Sequence, residues 1–132
     1  MTRPDGASNT APMPDPDSLA AAACAFAFGL PGAWEDHPWG DTVAKVGTKV
    51  FVFFGTDDAD PFRFTVKLRA AHEEALAMPW TKPAGYGLDR GGWVSCSAPS
   101  DVPLELVTGW IEESYRIVAP KRLVAGLDAQ VS

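Results

Sequence analysis

Between residues 62 and 69, Arg63, Thr65, Lys67 and Arg69 alternate with Phe62, Phe64, Val66 and Leu68. A period of two marks a β-strand with one buried and one exposed face, so this stretch predicts a row of cations on the outer side of a strand. The preceding apolar run, 49–54, supplies Lys49, Phe51 and Phe53 for a neighbouring strand. Cations mixed with aromatic faces suit a phosphate backbone, through charge neutralisation, and unstacked bases, through stacking. The same alternation also describes an ordinary solvated strand, whose Arg and Lys stems shield apolar rings while their charged heads stay in water. The residue pattern by itself leaves both readings open.

The other reactive residue types form no constellation. His37 and His72, the only histidines, lack the spacing of a zinc site. Glu35, Asp36 and Asp41 cluster near the apolar run, where they either hold a divalent cation or keep a connector soluble. Asp57, Asp58 and Asp60 lack the Gly and the distal Glu of a calcium loop and read as turn formers. Ser95, Ser97, Ser100 and Ser114 sit in no nucleophile elbow, and neither GxGxxG nor a Gly-Lys-Ser/Thr phosphate loop occurs. Trp93 and Trp110 read as packing residues. These observations predict a binding module rather than an enzyme, with no catalytic residues, no metal and no cofactor.

Positioning the basic row falls to a single small domain, since 132 residues at 46% apolar content suffice for one modest core. The formal net charge of −6 excludes nucleic-acid or anionic-membrane coating through overall charge, but the charge is uneven. Residues 1–42 carry Arg3 against Asp5, Asp15, Asp17, Glu35, Asp36 and Asp41, whereas 43–70 carry Lys45, Lys49, Arg63, Lys67 and Arg69 against three Asp. Cys24 and Cys96 have no paired spacing and read as reduced thiols of a cytoplasmic protein. The apolar stretch 19–30 is too short for a bilayer and follows acidic residues, so neither a membrane span nor a secretory signal is expected.

In chain order, 1–14 reads as a disordered leader, 15–125 as the domain and 126–132 as a frayed tail. Asp15-Pro16 opens a first helix with Leu19, Ala22, Ala23 and Phe26 on one stripe, stopped by Gly29 and Pro31. A connector over 32–40, partly a short edge strand, leads to a hairpin turning at Gly47-Thr48. Regular pairing sets Val46 opposite Lys49, Ala44 opposite Phe51 and Val43 opposite Val52. One face then carries Val43, Val50, Val52 and Phe54, and the other Lys49, Phe51 and Phe53. A turn over 55–61, the 62–69 strand, a short helix over 70–78, a loop over 80–91 and a strand over 92–98 follow. A long helix comes next, with Leu104, Val107, Ile111, Tyr115 and Val118 along one side, kinked or ended by Pro120. The expected class is α+β, an antiparallel β-sheet packed on one face by helices and partly open on the other.

The chain resembles the MmcQ/YjbR family of small bacterial proteins. The likeness is carried by Leu30-Pro31-Gly32-Ala33 with Glu35-Asp36, Lys45-Val46-Gly47 with Lys49-Val50-Phe51, and Val66-Lys67-Leu68. Gly92-Trp93-Val94 and Ser114-Tyr115-Arg116-Ile117-Val118 complete it, over residues 17–123. The resemblance implies a frataxin-like (CyaY-like) α-β sandwich and a DNA-binding role. Where relatives often carry a Lys before the Trp-containing strand, this chain has Asp89-Arg90-Gly91-Gly92, which makes Arg90 the nearest cation. Joined to the basic strand face, the resemblance leads us to expect DNA as partner. Lys49, Arg63, Lys67 and Arg69 would contact phosphates, Arg90 would lie nearby, and Phe51 or Phe53 would stack. The alternative is a protein- or small-ligand-interaction module using the exposed aromatic side of the sheet. Frataxin-like iron binding through Glu35, Asp36 and Asp41 is a third reading.

Overall fold

A computed structural model describes residues 18–38, 42–55, 62–85 and 87–131. The leader, the Asp15-Pro16 helix start, Asp41 and the turn with Asp57, Asp58 and Asp60 lie outside the described residues.

Six strands form one antiparallel sheet among the described residues: β1 (Ala33–Asp36), β2 (Val43–Val46), β3 (Lys49–Phe54), β4 (Phe62–Lys67), β5 (Thr81–Pro83) and β6 (Trp93–Ala98). Their order across the sheet is β1-β2-β3-β4-β6-β5. Helices α1 (Leu19–Phe28), α2 (His72–Leu76), α3 (Leu104–Val118) and α4 (Lys121–Val131) complete the α+β fold. One face of the sheet, with Val52, Phe54, Phe62, Phe64, Val66, Val94 and Cys96, joins residues of α1, α3 and α4 in the core. None of the helices among the described residues is long and apolar enough to cross a membrane.

Helix α1 begins at Ser18, whose hydroxyl accepts from the Ala21 amide at 3.1 Å, one of the orphan donors of a helix start. Its buried side is Ala20, Ala23 and Ala27 rather than the stripe through Ala22 and Phe26. Three alanines let the helix backbone lie close against α3, and Leu19, Phe26 and Phe28 pack at its margins. On α3 the buried residues are Val107, Trp110, Ile111, Ser114 and Tyr115, and Leu104 remains exposed.

The hairpin turns where the sequence predicts, with Val46 opposite Lys49 and Gly47 at φ 63, a left-handed conformation that a side chain would strain. Its register then departs from regular pairing. Ala44 faces Val52 and Val43 faces Phe53, because a bulge between Ala44 and Lys45 leaves Phe51 as an extra residue on β3. Phe51 and Val52 are therefore both fully buried, and Phe51 meets the edge of Tyr115 at 5.3 Å.

A bulge frees backbone groups that the ladder would otherwise pair. Here the hydroxyl of Ser114, fully buried on α3, fills the gap. It donates to the Phe51 carbonyl at 2.5 Å and accepts from the Lys67 amide at 2.9 Å. The residues beside it also reach across. Glu113 accepts from the amides of Arg69 (2.6 Å) and Ala71 (3.1 Å), and the Tyr115 hydroxyl donates to the Pro31 carbonyl at 2.6 Å.

Two further elements differ from the sequence reading. The stretch 80–91 contains β5, a three-residue edge strand paired to β6, and a 3-10 turn at Leu88–Gly91. Beyond Pro120 the chain forms α4 instead of fraying, with Leu127 buried in the core and Arg116 bound to Asp128 at 2.8 Å.

Replacing Ser114 with Ala would strand a buried carbonyl and a buried amide together. Urea denaturation of Ser114→Ala is expected to show a loss of about 1–3 kcal/mol with an unchanged m-value.

Candidate functional site on the open sheet face

The alternation of each strand sends a second set of side chains to the face away from the core. Cross-strand pairing places them next to one another: Phe53 opposite Thr65, Thr65 opposite Ser95, Arg63 opposite Ser97, Lys67 opposite Trp93, and Lys82 opposite Ser95. Arg63 and Lys82 are exposed, and Phe53, Thr65, Lys67, Trp93, Ser95 and Ser97 are half-buried. Thr65 and Ser95 share a hydrogen bond at 3.3 Å, and the Phe53 and Trp93 rings meet edge to face at 5.3 Å. Gly92 sets where β6 starts. Its φ is 91, and a Cβ there would stand 2.5 Å from the Leu68 carbonyl oxygen, so only glycine lets Trp93 come up beside Lys67.

Ion pairs among the described residues join His37 to Glu35, Lys45 to Asp36, and Arg116 to Glu112 and Asp128. None of these pairs among the described residues reaches Arg63, Lys67 or Lys82, the three cations on this face. Lys45, on the same side of the sheet, is spoken for. Its ammonium binds Asp36 at 2.8 Å and lies 5.2 Å from the Trp34 ring centroid. The Lys45 hydrogen bond and the His37 amide hold the Asp36 carboxyl below the usual carboxylate range. Glu35 is engaged with His37, so the two described members of the acidic cluster are tied up in local pairs. Among the described residues no group of three or more His, Cys, Asp or Glu side chains could hold a metal ion.

The residues singled out from sequence thus divide. Arg63, Lys67 and Phe53 come together on the open face. Lys49 stands exposed at the first position of β3, beside the hairpin turn. Phe51 is a correction, since the bulge turns it into the core where no base can stack on it. Arg69 lies beyond the end of β4 and shares a depression of about 480 Å³ with His72, Glu73 and Arg90. Arg69 and Arg90 therefore line that depression together with the Glu73 carboxylate.

Lys82 and the serines of β6 are functional candidates that sequence reasoning missed. Three residues, Thr-Lys-Pro, show no usable periodicity, and only pairing with β6 puts Lys82 beside Ser95. With Arg63, Thr65, Ser95, Ser97 and Phe53 it lines a concavity of about 450 Å³. Beneath the serines, on the core side of β6, burial pushes the Cys96 thiol up to about 12.

A family model described as YjbR matches residues 28–117, a span that contains every strand and nearly all of α3. Among solved structures, the crystal structure of Deinococcus radiodurans protein DR2400, with the family-model domain DUF419, is similar in fold. Its TM-score is 0.64 at 25% identity, covering 80% of this chain and 81% of that one. No curated protein matches the sequence.

The thiol of Cys96 offers a check on how tightly the sheet seals the core below the concavity. At pH 8 a thiol titrating near 12 is about one ten-thousandth thiolate, against roughly a quarter for an ordinary cysteine. In a Cys24→Ser background, disulfide-exchange labelling of the folded protein is expected to run about three orders of magnitude slower than in urea. The rate should keep rising with pH beyond 9.

Proposed function

This chain belongs to the YjbR family, and from that premise we propose that it is a non-catalytic DNA-binding module that lays a nucleic-acid strand across the open face of its sheet. The observation that supports this reading is the set of three cations, Arg63, Lys67 and Lys82, without carboxylate partners among the described residues, on a chain whose formal net charge is −6. On an anionic protein, a cationic face raises the local concentration of a negatively charged partner there.

The geometry supports one form of this partner over others. Arg63 and Lys67 lie four residues apart on one strand, about 13 Å along its axis, which suits contact with separate phosphates of one backbone. Phe53 and Trp93 lie between β3 and β6 on the same face, with ring surface that unpaired bases can stack on. A face that combines rings with cations favours single strands over duplex. The carboxylates Glu105, Glu112, Glu113 and Asp128 belong to α3 and α4, on the covered side, where they repel the backbone least.

Fluorescence anisotropy with a short single-stranded DNA tests the reading. Three phosphate contacts predict a slope of about −2 in log K against log salt. The double variant Arg63→Glu/Lys67→Glu is expected to weaken binding at least about tenfold and to flatten that slope. Absence of binding to single strands and duplex at low salt overturns the proposal.

A further inference from the structure

Resting on the DNA-binding reading, we infer that the concavity over β6 is a subsite for a terminal phosphate monoester, so that the protein prefers DNA strands whose end is phosphorylated. Arg63 on β4 and Lys82 on β5 stand on either side of β6. Neighbouring strands are about 4.8 Å apart, so the two backbones lie roughly 10 Å from one another and the long side chains can close on a group between them. Beneath that gap are the hydroxyls of Ser95 and Ser97, at alternate positions of β6, with Thr65 alongside.

The residue types define the ligand. Among the described residues, two cations and three hydroxyls line the concavity and no carboxylate does. A phosphate monoester carries a charge of about −1.5 to −2 near neutral pH and offers three strong acceptor oxygens, which matches two cations better than the single charge of a diester. The guanidinium of Arg63 can engage two of those oxygens at once, and Lys82 acts as a point charge. Ser97 donates from the floor without competing for the Thr65–Ser95 hydrogen bond.

Position on the sheet supplies the remaining argument. The concavity lies where β3 ends, β4 begins and β6 ends, with Phe54, Gly55, Arg63 and Ser97 around it, whereas Lys67 and Trp93 lie at the other end of their strands. A strand end seated over Ser97 has Phe53 beside its last base and Lys67 further along its backbone. At about 450 Å³ the space takes a phosphate and part of its nucleoside.

The experiment compares one oligonucleotide unphosphorylated, 5′-phosphorylated and 3′-phosphorylated, with a nucleoside monophosphate and inorganic phosphate titrated separately by NMR. One phosphorylated form is expected to bind about fivefold or more tightly than the unphosphorylated strand. In Lys82→Gln, and independently in Ser97→Ala, that ratio should fall to near one, with folding verified by thermal melts. The mononucleotide should shift the Ser95 and Ser97 amides. Equal affinity for all three strands in the native protein overturns the subsite while leaving DNA binding intact. If no strand binds but the mononucleotide shifts these amides, the strand-end assignment falls with the DNA reading and free nucleotides become the ligand. If none of these probes binds, both proposals fall.

Discussion

One buried hydroxyl holds the sheet in the form that the site requires. Ser114 stands between a carbonyl on β3 and an amide on β4, where a regular ladder would have joined the two directly. A hydrogen bond to each keeps the bulge from costing a pair of unsatisfied groups. The bulge in turn decides which aromatic side chains face the core. With it, Phe51 packs against Tyr115 and Phe53 is left on the far side beside Thr65. Without it, every side chain on the first part of β3 would exchange faces.

Helix α3 enforces this through four consecutive residues. Glu113 binds the backbone just past β4, Ser114 the bulge, Tyr115 the turn after α1, and Arg116 the carboxylates of Glu112 and Asp128. Each reaches a different segment, so α3 works as a template on which strands, first helix and last helix are registered. The open face needs no such support from above. Its residues are positioned from underneath, by a core that fixes the twist and register of β3, β4 and β6.

The parts of this arrangement that were legible in the sequence are the local ones. The 62–67 strand announces itself by alternation, the hairpin by Gly47, and α3 by its apolar spacing. They are enough to bring Arg63, Lys67 and Phe53 to one face. The bulge was not legible, because it is stabilised by a side chain 63 residues away. Nor was β5, whose three residues and terminal proline give no periodicity, and Lys82 was lost with it. Pro120 signals only a kink or an end to α3. Proline also suits the start of a helix, and here its carbonyl accepts from the amides of Leu123 and Val124 in α4.

That short outer strand has a further consequence. A sheet that keeps one surface bare has two rims as well, and an unprotected rim recruits other chains into fibrils. β5 offers little to recruit with, since it is three residues long and Pro83 has no amide hydrogen to donate. At the opposite rim, β1 is only four residues long, and its last two side chains, Glu35 and Asp36, are held in pairs with His37 and Lys45, so it too presents little edge to another copy. The molecule can therefore leave its broad surface accessible to a partner without becoming a template for its own polymerisation.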